Sequence, residues 1–223
     1  MALTTILWDM GGVVCNFYQD VANSRLSRKS RLGKTVKDVS DILFGSSATD
    51  RQYNQGLTEN YYLGKESSED FYRNVRDALD LDMSYAEFVH SWGDIFSLNE
   101  EIMKFIRDLN KKSYIQGVLS STNPIHWLAM DYLSGMESLL GRRNIICTFD
   151  PDAGYKKPTP QLFAAVENRL QVPRQEIVYV DDVRRYSEAA IQEGFGAAIR
   201  VDQSVIDYQT RCISEIKQLG FRL

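Results

Sequence analysis

Apolar residues along this chain follow two spacings, and the spacings divide it. Short unbroken apolar runs occur at LTTILW near the start and then only beyond residue 113, at YIQGVLSS, NIICTF, EIVYVDD and AAIRVD. Runs of this length, apolar on both faces and rich in Ile and Val, predict strands of a parallel sheet covered by helices. Helical spacing separates the runs. One helix is predicted from Asn99, with Glu100 and Glu101 in its first turn, Ile102, Phe105, Ile106 and Leu109 on one face, and Lys111 and Lys112 at its end. Another starts at Thr159 with Pro160 at its first position and buries Leu162, Phe163, Val166 and Leu170. A third follows Asp182 and stops at Gly194.

The segment from Cys15 to Leu98 reads differently. Phe71, Tyr72, Val75 and Leu79 keep helical spacing, and a capping box from Ser84 to Glu87 precedes Phe88, Val89 and Trp92. All of it is expected to be helix. The predicted fold is therefore α/β, a Rossmann-like parallel sheet flanked by helices, with a core of residues 1–14 and 99–223 and an inserted all-helical cap of residues 15–98. A block inserted after the first strand sits above the sheet's carboxyl edge, over any site there.

Composition narrows the function rather than the fold. With 223 residues, 43% of them hydrophobic, the chain suffices for one large domain or a core plus a smaller insert. A net charge of -4 and a pI near 5.3 argue against a general nucleic-acid binder and for small-molecule partners. Cys15, Cys147 and Cys212 are odd in number, far apart and in no metal-ligand spacing, so neither a disulfide framework nor a zinc site is expected and a reducing, cytoplasmic setting is. MALTTILWDM has no basic start before its apolar run, and no window approaches the roughly 18 apolar residues of a span. Neither export nor a membrane is expected.

Candidate chemistry collects at the ends of the predicted strands. In ILWDMGGVV, Asp9 stands between an apolar run and two glycines, although Asp and Gly also simply punctuate turns. YIQGVLSS closes on Ser120 and Ser121, followed by Thr122 and Asn123, residue types that equally cap a following helix. EIVYVDD closes on Asp181 and Asp182, adjacent acids that repel unless a cation is near. In GYKKPTP, Lys156 and Lys157 precede a proline and a helix start, a rigid place from which a lysine reaches a phosphate; a solvated lysine pair is the plainer reading. Four such segments in the order Asp, Ser, Lys-Pro, Asp-Asp are far less expected by chance than any one of them. His90, beside Phe88 and Trp92, is assigned no role. The basic run from Arg25 to Lys37 reads first as a charged helix face and second as a border for a phosphorylated substrate.

Together, WDMGGV, VLSSTN, KKP and VYVDD resemble the four motifs of the haloacid dehalogenase-like hydrolase superfamily, and the insert stands in the place of that family's helical cap. The resemblance covers residues 1–14 and about 99–205. SSTN followed by His126, together with Gly11, is most similar to the small sugar-phosphate phosphatases, including the glucose-1-phosphate phosphatase branch. The resemblance implies Mg²⁺-dependent hydrolysis of a small phosphorylated metabolite, with Asp9 as a nucleophile that forms an aspartyl phosphate. It implies that Asp9, Asp182 and the backbone carbonyl of Gly11 hold Mg²⁺, with Asp181 ligating through water. It places Ser120, the Ser121 amide and Lys157 on the phosphoryl oxygens.

The chain departs from the common pattern D-x-D-G-[TV] at Gly11, where a second aspartate usually serves as acid/base. Glycine keeps the carbonyl ligand but not the proton donor, a loss on the order of 10²- to 10⁴-fold in rate. Two alternatives follow. One is a catalytically silent phosphate-binding or regulatory protein. The other is a dehalogenase, which also lacks that aspartate but has no use for Mg²⁺ or for the Asp181–Asp182 pair. Neither the leaving alcohol nor an oligomeric state follows from the sequence.

Overall fold

The first apolar run becomes β1 (Thr5–Trp8), buried along its whole length. In the computed structural model, which describes residues 2–45 and 56–222, β1 is the middle strand of a five-stranded sheet. Its companions are β4 (Ile115–Ser120), β5 (Ile145–Cys147), β6 (Ile177–Asp181) and β7 (Ala197–Arg200). The order is β5-β4-β1-β6-β7 and every pairing is parallel. The five strands and their sense are those expected from the apolar runs.

Alternation along β1 divides the core into two layers. Ile6 and Trp8 pack with Val118, Val178 and Val180 against Ile102, Phe105 and Ile106 of α6 (Glu100–Lys111) and Ile216 of α11 (Tyr208–Gln218). Leu7 faces the other way, with Leu119 and Tyr179, onto Leu162, Phe163 and Val166 of α9 (Pro160–Leu170) and Ala190 of α10 (Arg184–Gln192). Each of the fully buried Val, Leu and Ile side chains among them contributes ~1.5–3 kcal/mol. Gln116 is the polar exception inside β4. It accepts from Trp8 Nε1 at 3.1 Å and donates to the Ile106 carbonyl at 3.1 Å, so its amide is satisfied. Next to it, a Cβ on Gly117 would lie 2.9 Å from Leu170, and the glycine lets α9 press onto the sheet.

The predicted helix starts are met in different ways. Thr159 caps α9 through Leu162 N, with Pro160 in the first turn. Asn99 precedes α6, but its side chain is engaged elsewhere, donating to the Val13 carbonyl and accepting from Asn16. The remaining core helices are α7 (Pro124–Ser134) and α8 (Met136–Leu140).

Between β1 and α6 the chain forms α1 (Gln19–Lys29), α2 (Val36–Phe44), α3 (Thr58–Tyr62), α4 (Ser68–Leu79) and α5 (Tyr85–Gly93). Their apolar faces share a separate core that includes Leu26, Val39, Phe71, Val75, Phe88 and Trp92. Ser84 and Glu87 make both bonds of the capping box at α5. The expectation of helix throughout residues 15–98 fails at both ends. Cys15–Phe17 is a strand, β2, paired antiparallel with β3 (Phe96–Leu98) in the register Cys15↔Leu98, Asn16↔Ser97, Phe17↔Phe96. Three residues are too few to show an alternating pattern, and the partners are far apart in sequence, so no local signal announces the pair. Within the same segment, residues 46–55 lie outside the described residues.

No helix among the described residues is long and apolar enough to cross a membrane. Cys15, Cys147 and Cys212 are buried and unbonded.

Candidate active site

Three strand ends meet at the carboxyl edge of the sheet, beside the switch in strand order at β1. Asp9 follows β1 and is tied into the sheet by its amide, which donates to the Val180 carbonyl at 2.8 Å. Ser120 ends β4 and Asp181 ends β6. Lys157 comes from the loop before α9 and is buried, its Nζ lying 2.9 Å from Asp9 Oδ1 and 3.0 Å from Asp181 Oδ2. Asp9 Oδ1 also accepts from the Met10 amide at 2.8 Å, so two donors orient the carboxylate. The Lys157 ammonium lies 5.5 Å from the ring centres of both Tyr179 and Tyr186, within cation–π range.

Asp181 is fully buried and receives three donors: Lys157, the Tyr179 hydroxyl and, at 2.8 Å, the Val183 amide. It holds Lys157 in place. Asp182, its neighbour, reaches the cavity instead and closes over the glycine pair. A Cβ on Gly12 would sit 2.3 Å from Asp182 Oδ2, and Gly12 has φ of 82°, so only glycine suits that position. Gly11 is a different case, because a Cβ there meets only the Phe17 ring, at 3.6 Å and beyond. Nothing in the backbone requires glycine at Gly11. The absent carboxylate is a feature of the sequence and not a steric necessity.

Carboxylate oxygens of Asp9, Asp181 and Asp182 lie within 4.8 Å of one another. Three carboxylates thus crowd the Lys157 ammonium, Asp9 and Asp181 buried and Asp182 half-buried. Burial first, then the Asp181 and Asp182 charges, push Asp9 up to about 8, against the opposing pull of Lys157. For Lys157, burial pulls the ammonium down, and Asp181 and Asp9 outweigh it, so the net direction is up. A hard, all-oxygen donor set with this excess of negative charge suits a small divalent cation. The residues present fit such an ion.

One cavity collects Asp9, Gly11, Ser120, Ser121, Lys157 and Asp182, the predicted residues from four separated segments. Asp181 lies behind them. Lys156 points elsewhere and pairs with Glu59 of α3 at 2.5 Å. Asn123 keeps the plainer role, capping α7 by accepting from the His126 amide at 3.0 Å. The basic run also keeps its plainer reading: Arg25 pairs with Asp94, Arg31 with Asp82 and Lys37 with Asp41, and none of its residues lines the cavity. His90 is exposed, 3.9 Å from Asp94. Residues the motifs do not single out complete the walls: Phe17 and Phe96 from the β2–β3 pair, Tyr62 from α3, and Tyr186 from α10. No spacing rule marks these aromatics as cavity-facing, since their helical or strand positions read as ordinary packing.

The chain is 24% identical over 183 residues to the D-ribitol-5-phosphate phosphatase of Bacteroides thetaiotaomicron, covering 81% of this chain and 83% of that protein. An enzyme of the same organism, crystallised with magnesium and inorganic phosphate, superimposes with a TM-score of 0.72 at 16% identity, over 92% of this chain and 98% of that one. A hydrolase of the haloacid dehalogenase-like family from Porphyromonas gingivalis gives a TM-score of 0.75 at 18% identity, covering 100% of both chains. These structural likenesses speak for the fold. Residues 3–194 match the family model described as haloacid dehalogenase-like hydrolase, and the protein belongs to that family.

Proposed function

We propose that the protein is a Mg²⁺-dependent phosphatase that hydrolyses a small phosphorylated metabolite, a sugar or polyol phosphate, through an aspartyl phosphate on Asp9. The observation that carries this reading is the buried Asp9–Lys157–Asp181 ion triad with Asp182 beside it at the sheet edge. The family contains hydrolases of more than one kind. A dehalogenase would leave the three-carboxylate group without a purpose.

The steps follow from the residues. Asp9, oriented by Lys157 and the Met10 amide, attacks phosphorus in line with the leaving oxygen; an O–P bond forms to Asp9 and the bond to the alcohol breaks. Ser120, the Ser121 amide and Lys157 hold the phosphoryl oxygens as charge spreads over them. Water then attacks the aspartyl phosphate, releasing inorganic phosphate and restoring the Asp9 carboxylate. Asp9, Asp182 and the Gly11 carbonyl are the residues to hold Mg²⁺, with Asp181 through water; when bound, the ion offsets the charge that keeps two anions apart. The insert closes the roof over this chemistry and acts as the cap.

No acid beside Gly11 protonates the leaving oxygen. His126, on the cavity wall, does not replace it: burial pulls its pKa to about 3, so it is neutral, and its Nε2 is engaged with the Trp92 carbonyl at 3.1 Å. Good leaving groups are therefore favoured.

The test is phosphate release from a panel of sugar phosphates, polyol phosphates including D-ribitol 5-phosphate, and aryl phosphates, with and without Mg²⁺. Turnover that needs Mg²⁺ and vanishes in Asp9→Asn is the expected result. Gly11 also motivates a second reading, a silent phosphate-binding protein. Binding of panel members without release of phosphate under any condition would favour it.

A further inference from the structure

The glycine turn after Asp9 is held from outside by a closed circuit of side-chain amides. Gly12 has no side chain to anchor it and sits at φ of 82°, a conformation that glycine enters and leaves freely. Its amide donates to the Cys15 carbonyl at 2.7 Å. Its carbonyl accepts from Gln203 Nε2 at 3.0 Å. The other Gln203 amide proton goes to Asn16 Oδ1 at 2.8 Å, Asn16 Nδ2 donates to Asn99 Oδ1 at 2.8 Å, and Asn99 Nδ2 donates to the Val13 carbonyl at 2.6 Å. The circuit starts and ends on adjacent residues of the turn. Backbone carbonyls only accept, so those of Gly12 and Val13 fix which way the three amides face. The Tyr208 hydroxyl reinforces the circuit with a bond to Asn99 Oδ1 at 3.0 Å.

Gln203 comes from the loop between β7 and α11, and that loop has its own supports. The Val201 amide donates to the Asp181 carbonyl at 2.9 Å, and Asp202 Oδ1 accepts from the Ser204 amide at 3.1 Å and the Ser204 hydroxyl at 2.6 Å. Gln203 is exposed, yet both of its amide protons are turned inward. The consequence falls on Gly11. In a planar trans peptide the Gly11 carbonyl and the Gly12 amide point opposite ways, so the bond from Gly12 to the Cys15 carbonyl sets the direction of the Gly11 carbonyl. Gln203 fixes the other side of Gly12 and keeps that peptide from turning. Gly11 lines the cavity with Asp9 and Asp182.

We propose that Gln203 is a positioning residue for the divalent cation: by holding the Gly12 carbonyl it keeps the Gly11 carbonyl turned to serve as a ligand beside Asp9 and Asp182. The inference deepens the phosphatase reading and rests on its cation site. Gln203 does not line the cavity, so its effect passes through the backbone. Without it the turn regains the freedom of glycine, and the carbonyl must be ordered anew whenever the cation binds. That ordering is drawn from the binding free energy.

The test is the binding of Mn²⁺ to substrate-free protein, since Mn²⁺ takes the same oxygen ligands as Mg²⁺ and its free fraction is counted by electron paramagnetic resonance. Gln203→Leu removes both donors. It is expected to weaken Mn²⁺ about fivefold, to raise the Mg²⁺ needed for half-maximal turnover by the same factor, and to leave kcat at saturating Mg²⁺ within about twofold. The metal-free melting temperature should shift by no more than about 4 °C, the residue being exposed. Ile206→Ala, in the same loop, exposed and outside the circuit, should match the parent throughout. Parental Mn²⁺ binding in Gln203→Leu overturns the assignment, whatever happens to the melting temperature. Equal weakening by Ile206→Ala also overturns it, because the effect then belongs to the loop as a whole. Asp182→Asn checks the ground beneath: if that variant binds Mn²⁺ as the parent does, the cation site itself is wrong and the role of Gln203 falls with it.

Discussion

On the sheet side of the cavity, Asp9, Lys157, Asp181 and Asp182 are arranged by charge, whereas on the side of the insert Phe17, Gln19, Tyr62, Ile95 and Phe96 bring no formal charge at all. The two walls order their polar atoms differently. Charge holds the sheet side tightly because unpaired charges out of water are expensive, and every member depends on the others. Neutral rings and uncharged polar groups make up the insert side. On the proposed reading, the charged wall faces the phosphate and the uncharged wall faces the leaving alcohol.

Breaking the charged wall has the largest expected effects. Asp9→Asn keeps the shape of the side chain and removes the attacking carboxylate, so turnover should fall on the order of 10⁴-fold or more with thermal unfolding little changed. Undiminished phosphate release by that variant would remove Asp9 from the role of nucleophile. Lys157→Ala comes next. It strips the counter-charge from two buried acids and a donor from the phosphoryl oxygens, and should reduce kcat/KM by about 10²- to 10³-fold while raising KM. Kinetics equal to the parent's would reduce Lys157 to a structural ion.

The missing acid sharpens the comparison, because Gly11 sets no carboxylic acid beside the leaving oxygen. Across a series of aryl phosphates, log kcat/KM should rise steeply as the leaving-group pKa falls. Gly11→Asp is sterically admitted, with only Phe17 in van der Waals contact with its Cβ, and should flatten that slope. A slope already flat in the parent would show that an ordered water or another residue donates.

The smallest effect belongs to the neutral wall. His126 in the folded protein titrates at about 3 against 6.5 for the free side chain, so between those values the unfolded chain binds the extra proton and stability falls as pH falls. From pH 7 to pH 5 the loss from this group is about 2 kcal/mol. Asp9, raised in the fold, works in the opposite sense, so the measure is the difference between parent and His126→Gln in chemical denaturation at the two pH values. Identical pH dependence in both proteins would show that His126 is not held neutral.

The two walls were also unequally legible in the sequence. Asp9, Ser120 and Asp182 stand at or beside the ends of apolar strands, and a strand end in a parallel sheet has a known address, while Lys157 was marked by its place before a proline and a helix start. The five strands and their parallel sense followed from the same runs, whereas their order in the sheet did not. Tyr62 and Phe17 carry no such address. Helical periodicity tells which residues of α3 face the insert's own core, but not that Tyr62 also reaches His126 across a sequence separation of 64. The β2–β3 pair was invisible for a related reason, each strand being too short to declare itself without its partner. Asn99 shows the converse. Its residue type marks a helix start, and the helix does start there, yet its amide joins Val13 to Asn16 instead of capping the helix.

That short pair has a consequence for how the molecule is put together. Cys15 and Leu98, on either side of α1 to α5, are partners in one antiparallel register, so the chain leaves the neighbourhood of β1 and returns to α6 at a single spot. Whatever lies between them is a cassette. The β2–β3 pair sets the spacing between β1 and α6 whatever the length of chain between its strands. The helices above the sheet edge are thereby anchored apart from Asp9, Lys157, Asp181 and Asp182, which the sheet and the loop before α9 hold in place.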